Sequence, residues 1–474
     1  MKQSCRVRFA PSPTGIMHIG NVRTALLNYI FALHYQGTFI LRVEDTDQER
    51  NIDPQSIFDH LGWLGLTYQE GPHIGGNYGP YFQSQRHDVY TSYLHKLQAT
   101  NHVYRCFCTQ EQLEIKRNRQ IALKTPPRYD KTCSKLSLQD IQERLQTKTP
   151  FFWRMKINET ESLQFHDLGH GKLNFELKNF SDFAITRTDG SFTFMFANCI
   201  DDITMQISHI LRGQDHLTNT VGQLTIMQAL DHPFPTFWHL PILFNTQGKK
   251  LSKRDQGFSL DDLRNDGFLP EAIVNYLGII GSSFEKEIMS IEEMAQAYNF
   301  DNMHTSNQIK YDIEKMRWIN HKWIAQTPIN KLINLCKPFL TAQFDISTIS
   351  DTTLQTLIQS VQTDIVTLKD IPSLLQFYFK KPVITQETLN NFAIDQTVHD
   401  AVMNILTAQQ NQTDFATFFN LAKQQAAAEN IPLKDFFSIT RLYITGSPKG
   451  LGIGELEKCL GFAEIKNRLY VPTN

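Results

Sequence analysis

No apolar run in the 474 residues approaches the roughly 20 needed to cross a bilayer. The opening residues, Met-Lys-Gln-Ser-Cys-Arg, are polar and run straight into a strand pattern. Neither a secretory leader nor a transit peptide is expected, and the cytoplasm is the expected compartment. Glycine (24) and proline (19) are too sparse for a collagen-like or disordered chain. Seven cysteines in so long a chain exclude a small disulfide-stapled scaffold, and their odd number fits a reducing compartment. Charge of one sign is also missing: 46 Lys+Arg face 48 Asp+Glu, a net charge of -2. A wholly basic nucleic-acid coat is excluded, whereas a local basic patch is not. Three motifs are absent as well: G-x-x-x-x-G-K-[ST], G-x-G-x-x-G and G-x-S-x-G. A nucleotide site here is therefore not of the P-loop or dinucleotide-binding kind.

What is present begins with an α/β rhythm. Residues 5–10 alternate with period two, as a strand does. Pro11, Pro13 and Gly15 break the chain. From His18 to Tyr35, Val22, Leu26, Leu27, Ile30 and Leu33 recur at helical spacing, and Gly37 stops the helix. Thr38–Val43 reads as a second strand with Glu44, Asp45 and Asp47 at its C-terminal end, and a helix follows from Pro54 to Leu64. This order predicts a parallel sheet, whose ligands bind beyond the C-terminal strand ends. Residues 100–185 lose the rhythm and read as an insertion. The pattern resumes near Ser191, with a strand over Ile207–Leu211 and a helix over 216–230. Residues 237–244 look strand-like, but Pro241 predicts an edge or irregular segment. From about 270 onward nearly every segment has helical period, and residues 321–474 carry equal numbers of basic and acidic side chains.

Two segments carry candidate chemistry. Pro11-Ser12-Pro13-Thr14-Gly15-Ile16-Met17-His18-Ile19-Gly20-Asn21 is a rigid turn that places a histidine and a glycine at a helix N-terminus. That end has unpaired N–H groups and a positive dipole, suited to phosphate, and Gly20 permits close approach to the backbone. Lys249-Lys250-Leu251-Ser252-Lys253-Arg254 puts four cations in six residues after a turn. Such ammonium groups can neutralise charge growing on a triphosphate. Each segment alone also fits a plain alternative, a Pro/Gly turn and a solvated basic loop.

Together they are far more specific. A strand, P-x-P-T-G-x-x-H-I-G opening a helix, and a late K-L-S-K-R loop resemble the two signatures of class I aminoacyl-tRNA synthetases. The neighbouring residues narrow the resemblance to glutamyl-tRNA synthetases of bacterial type. These are Arg8-Phe-Ala-Pro-Ser-Pro-Thr-Gly, His18-Ile-Gly-Asn-Val-Arg-Thr-Ala-Leu, Leu41-Arg-Val-Glu44-Asp45-Thr46-Asp47 and Ile210-Leu-Arg212-Gly-Gln-Asp215-His216-Leu. The match runs from residue 6 to about 320 and then fades into a helical background.

The resemblance implies a Rossmann-like parallel-sheet catalytic domain with an α+β insertion, followed by an all-α anticodon-binding half. The implied divisions are 1–100 and 189–248 for the two catalytic halves and 101–188 for an acceptor-stem insertion. Residues 249–320 would hold the cationic loop and a stem-contact domain, and 321–474 the anticodon domain. The implied reaction is ATP-dependent formation of glutamyl-adenylate and transfer to the 3′ end of tRNA-Glu, with tRNA-Gln a second candidate. Catalytic positions would be His18, Lys250 and Lys253. ATP would meet His18, Gly20, Asn21, Lys250, Ser252 and Lys253, accompanied by Mg2+. L-glutamate would meet Arg8, Ala10, Ser12, Glu44, Phe194, Asn198 and Arg212. Arginine suits a dicarboxylate because its planar fork matches a carboxylate. Which of Arg8 and Arg212 meets which carboxylate stays open, while Glu44 would take the α-amino group. Two residues depart from the family pattern: Phe194 stands where a tyrosine is usual, and Gln214 where R-G-E-D-H has its glutamate.

The insertion adds Cys106-Phe-Cys108, then Tyr129 and Cys133. Three thiolates suit Zn2+, which normally takes four ligands. Some relatives carry zinc here, the fourth ligand being a histidine two residues after the last cysteine or a tyrosine four before it. Lys135 fills the first position, which leaves Tyr129. Three reduced cysteines without metal is the alternative. In the anticodon half, relatives that exclude tRNA-Gln have an arginine just before a Thr-Leu-Lys-(Glu/Asp) run. That run here is Thr367-Leu368-Lys369-Asp370. Asp364 takes the arginine's place, and no arginine or lysine occupies 338–368.

Rival functions make different sequence demands. A glutaminyl-tRNA synthetase would have a β-barrel C-terminal part. The short relatives that glutamylate a modified tRNA base lack an anticodon half. A weakly active paralogue serving as a tRNA-binding module would not need His18, Glu44, Lys250 and Lys253 together. A non-catalytic metal-dependent nucleic-acid binder would leave both signatures unexplained. The expected protein is monomeric, with no membrane partner.

Overall fold

A computed structural model describes residues 5–13, 15–46, 53–252, 254–300 and 308–470. Asp47 and Lys253, singled out above, lie outside the described residues. The chain divides into two compact units, Met1–Leu263 with Ile273–Ile313, and Arg264–Ala272 with Glu314–Asn474. Among the described residues no helix is long and apolar enough to cross a membrane.

The first unit starts as the alternation predicts. Strand β1 (Arg6–Phe9) and strand β2 (Thr38–Leu41) run parallel, from Arg6 opposite Thr38 to Phe9 opposite Leu41. Between them helix α1 (Ile19–His34) buries Ile19, Val22, Leu26, Leu27, Ile30 and Phe31. Each such side chain contributes about 1.5–3 kcal/mol when taken from water. Gly37 closes the crossover. A Cβ there would stand 2.4 Å from the Cys5 carbonyl oxygen, so only glycine lets the chain turn into β2 at this point.

A four-stranded sheet carries the rest of the parallel framework. Strands β5 (Ser162–Asp167), β6 (Gly171–Glu176), β8 (His209–Gly213) and β9 (Thr236–Leu240) stand in the order β6-β5-β9-β8. β8 and β9 are parallel, and β5 meets β9 in parallel at Asp167 and Phe237. β9 is thus an interior strand, which corrects the expectation of an edge. Pro241 lies one residue beyond the last ladder pair, Gly213–Leu240, so it removes no hydrogen bond from the strand. The insertion also proves less separate than its sequence suggests. Its β5–β6 hairpin joins the central sheet, while β3 (Val103–Cys106), β4 (Phe152–Met155) and β7 (Phe183–Ala184) form their own antiparallel sheet. β1 reaches the start of β8 through Ser208, whose N–H donates to the Arg6 carbonyl at 3.0 Å. Helices α2 (Phe194–Thr204) and α3 (Leu217–Ala229) flank β8 in sequence and are mostly buried.

The second unit is helical throughout its described residues, from Glu314 to the helix Phe462–Leu469. Sequence-local caps start its helices: the Asp395 and Asp414 carboxylates accept from the N–H groups of Val398 and Thr417. Buried Asn320 ties three segments together. It accepts from Leu269 N–H at 2.8 Å and donates to the Val366 carbonyl at 2.6 Å.

Candidate active site

The C-terminal ends of β1, β2, β8 and β9 open into a cleft of about 590 Å³. Arg8, Ala10, Ser12, His18, Gly20, Asn21, Glu44, Phe194, Asn198, Arg212 and Lys250 all line it. Residues from distant segments of the chain therefore share one wall-to-wall space, at the place where parallel sheets bind ligands.

His18 is the N-cap of α1. Its Nδ1 accepts from Gly20 N–H at 3.1 Å and Asn21 N–H at 3.3 Å. Two of the helix's orphan amides are thereby satisfied by the imidazole itself. Accepting at Nδ1 leaves the proton of the neutral ring on Nε2. The ring stacks on Phe258, with centroids 4.9 Å apart. The cationic loop is held by its own short contacts. Ser252 donates from N–H and from Oγ to Asp255 at 2.8 and 2.9 Å, and Asn245 donates to the same carboxylate at 2.9 Å. Leu251 is the loop's buried anchor, and its N–H meets the Leu243 carbonyl at 3.0 Å.

The opposite wall is built from buried charge. Arg8 donates from Nε and Nη2 to the Asp202 carboxylate at 3.0 and 3.3 Å. Arg42 is fully buried and reaches Asp202 at 2.7 Å and Glu44 at 3.0 Å. Glu44 also accepts from Asn198 Nδ2 at 2.6 Å. Burial pushes the Glu44 carboxyl upward, against the pull of Arg42 and Asn198. Asp201, next in the chain to Asp202, accepts from Arg86, Gln83 and Tyr90. The Asp-Asp pair after Asn198 is visible in the sequence, but Arg42 as its partner is not. Separations along the chain carry no such information.

Arg212 is arranged differently from Arg8. Its Nε donates to His239 Nε2 at 3.3 Å and its Nη2 to Thr220 Oγ1 at 2.7 Å. Nη1 is buried and has no hydrogen-bond partner. Burial, then the like charge of Arg8, pushes this guanidinium down to about 9. An anion brought to Nη1 would relieve both effects. Phe194 packs 5.7 Å from the His216 ring, so the residue that departs from the family pattern still fills the wall. Gln214, the other departure, keeps a buried Oε1 without a partner.

Away from the cleft, the Cys106, Cys108 and Cys133 sulfurs lie within 4.8 Å of one another. Tyr129 Oη stands 3.4 Å from Cys106 Sγ and 3.6 Å from Cys108 Sγ, and the Arg154 guanidinium lies 3.9 Å over its ring. A hydrogen bond from Cys106 holds Cys133 down at about 6, while the same bond and burial push Cys106 up to about 12. The cluster thus favours a thiolate. Three sulfurs and one phenol oxygen at these spacings fit a tetrahedral ion with bonds of roughly 2.3 Å.

In the second unit Asp364 is exposed, at the end of a short turn Gln362–Asp364. Lys369, nearby in the chain, is paired with Asp266 at 2.7 Å.

Known proteins place this arrangement. Residues 4–318 match the catalytic domain of class I tRNA synthetases (E and Q), and residues 331–471 match an anticodon binding domain. The chain is 36% identical to glutamate–tRNA ligase 2 of Syntrophus aciditrophicus over 99% of this chain and 98% of the relative. It is equally similar, 36%, to the glutamate–tRNA ligase of a Sulfurihydrogenibium species over 98% of each. The crystal structure of a glutamate tRNA ligase from Elizabethkingia meningosepticum, in complex with its amino acid, superposes with a TM-score of 0.89 at 28% identity, covering 98% of both chains. With its signature-bearing cleft, helical second unit and full-length likeness, the chain belongs to the glutamate–tRNA ligase family of class I aminoacyl-tRNA synthetases.

Proposed function

We propose that this protein ligates L-glutamate to tRNA in two steps within the one cleft. The α-carboxylate of glutamate attacks the α-phosphorus of ATP, forming glutamyl-adenylate and releasing pyrophosphate. A 3′-terminal ribose hydroxyl of tRNA then takes the acyl group, and AMP leaves. The observation that carries this reading is the convergence of His18 and Lys250 on a cleft whose other wall holds Arg8, Glu44 and Arg212. Phosphate chemistry of this kind needs positioning and charge neutralisation more than a protein nucleophile. His18, Gly20 and Asn21 orient ATP. Lys250, Ser252 and Lys253 meet the departing pyrophosphate, and Mg2+ entering with ATP offsets phosphate charge. Glu44 takes the α-amino group, and Asn198, bonded to Glu44, fixes that carboxylate. Ala10, Ser12 and Phe194 shape the remaining wall. Arg8 and Arg212 take the two carboxylates, and Nη1 of Arg212 is the donor with nothing else to bond.

Zn2+ fits the Cys106, Cys108, Cys133 and Tyr129 cluster, where it would act structurally by fixing the insertion's short sheet. The chain acts as a cytoplasmic monomer. Residues 101–188 contact the acceptor stem, 249–320 link to the stem, and 321–474 meet the anticodon. Selection between tRNA-Glu and tRNA-Gln is relaxed, because exposed Asp364 stands where an arginine would bond the acceptor edge of C and oppose the donor edge of G. Charging of tRNA-Glu and tRNA-Gln transcripts with labelled glutamate tests both parts. Wild type is expected to charge tRNA-Glu with measurable transfer to tRNA-Gln, and Asp364→Arg to lose the second. Failure on tRNA-Glu would refute the function, and tight selectivity in the wild type would refute the role of Asp364.

A further inference from the structure

Arg212 lines the cleft, and its guanidinium is held by groups that do not line it. Arg212 leaves β8, and beside it in the sheet His239 leaves β9, the two being direct register partners. His239 is wholly buried, as are Asp167 and Thr220. Asp167 Oδ2 accepts from His239 Nδ1 at 2.6 Å and from the His239 backbone N–H at 3.1 Å. Its other oxygen accepts from the N–H groups of Gly169 and His170, each at 2.9 Å. An ionised carboxylate only accepts, so the proton of the neutral ring sits on Nδ1 and the lone pair on Nε2. That lone pair faces Arg212 Nε–H at 3.3 Å and Thr220 Oγ1 at 3.0 Å. Phe237 stacks on the ring at 5.6 Å, so it cannot swing away without disturbing the core.

The consequence is geometric. A guanidinium offers a side edge, Nε with Nη2, and an end edge, Nη1 with Nη2. His239 and Thr220 occupy the side edge of Arg212. Nη2 also reaches the His216 carbonyl at 3.5 Å, so of the end edge Nη1 alone is left without a protein partner.

We infer that His239, oriented by Asp167, is a positioning residue that works with Thr220 to hold Arg212 by its side edge, so that Nη1 meets a carboxylate of the amino acid substrate. This rests on the proposed role of Arg212 in binding that carboxylate. It adds a buried second layer, Asp167–His239–Thr220, that sets amino acid affinity without touching amino acid or ATP. Burial keeps His239 neutral, which the acceptor role of Nε2 requires.

The test compares four single substitutions in the full-length protein by steady-state aminoacylation. Thermal melting serves as the check on folding. His239→Leu removes the acceptor, His239→Gln retains an oxygen that can accept from Arg212, Thr220→Val removes the second contact at constant shape, and Arg212→Lys probes the underlying reading. His239→Leu and Thr220→Val are expected to raise the KM for glutamate by about tenfold or more, as loss of a hydrogen bond to a charged group does. The KM for ATP and kcat are expected to stay within about twofold. His239→Gln is expected to recover most of the glutamate affinity. If His239→Leu fails to fold, Thr220→Val alone carries the decision. Wild-type glutamate KM in the folded His239 and Thr220 variants, with a raised KM in Arg212→Lys, would overturn the positioning role alone. An unchanged KM in Arg212→Lys would overturn the arginine's role itself. Equal losses in glutamate KM, ATP KM and kcat would reduce His239 to a packing residue and also overturn the inference.

Discussion

His18 and Ser259 face each other across a single antiparallel bridge. Ile19 N–H donates to the Phe258 carbonyl at 3.0 Å, and Leu260 N–H donates to the Met17 carbonyl at 3.1 Å. The turn that presents His18 is thus stitched by backbone to the segment that follows the cationic loop. The two signatures are parts of one local structure, although most of the catalytic chain separates them. Phe258 completes the stitch by stacking on the imidazole.

Phe258→Ala should therefore loosen His18 without unfolding the domain. An aromatic pair of this kind contributes about 0.5–1.5 kcal/mol. The expected result is a rise of about two- to tenfold in the KM for ATP, with the KM for glutamate little changed. Initial-rate aminoacylation at varied ATP checks it.

In the proposed reaction Lys250 and Lys253 meet charge that grows in the transition state, so their removal should show in kcat more than in ATP binding. Lys250→Ala and Lys253→Ala are each expected to cost about 2–4 kcal/mol of transition-state stabilisation. Pre-steady-state measurement of adenylate formation separates this from slower product release. Wild-type kcat in both variants would remove the loop from the chemistry.

Glu44 gives a pH dependence with a definite sign. Burial raises its pKa, with Arg42 and Asn198 pulling the other way. A carboxyl raised in the folded protein loses its charge as pH falls, beginning above the ordinary value of about 4.3. If Glu44 takes the α-amino group as proposed, that contact is lost as pH falls through the raised pKa. The prediction is an acid limb in kcat/KM for glutamate that lies above the ordinary carboxylate range. Glu44→Gln should lower kcat/KM and abolish that limb.

The cysteine cluster predicts metal content. Protein purified without added metal should hold about one zinc per chain. Cys108→Ser should lose it, and Tyr129→Phe should weaken retention against a chelator. Chelation should lower the melting temperature, because metal binding is linked to folding. Full zinc content in Cys108→Ser would rule the site out.

The local parts of this structure were legible in the sequence. Period-two residues gave β1, the Val22–Leu33 spacing gave α1, and Pro11 to Gly15 marked the turn between them, because each signal sits within one element. The trio Cys106, Cys108 and Cys133 with Tyr129 comes from separate segments and was legible only because its spacing resembles that of zinc-carrying relatives. Pro241 misled because its effect depends on one residue of register: it falls just past Leu240, the last paired position of β9. The β5–β6 hairpin was hidden inside the insertion, since only the pairing of Asp167 with Phe237 assigns it to the central sheet. The buried partners Arg8–Asp202, Arg42–Glu44 and Asp167–His239 were invisible as pairs. A charged residue in the sequence reads as surface until the fold supplies its countercharge.

Glutamate, an acid with a carboxylate side chain, suits a cleft lined by Arg8 and by Arg212, whose buried Nη1 has no hydrogen-bond partner. The most direct measurement is ATP–pyrophosphate exchange by the full-length protein with tRNA-Glu present, comparing glutamate with glutamine. An amide in place of the side-chain carboxylate removes the countercharge from whichever buried arginine meets it, which is costly. Exchange is expected with glutamate, and the kcat/KM for glutamine is expected to be lower by about a hundredfold or more. Equal exchange with the two amino acids would contradict the choice of glutamate.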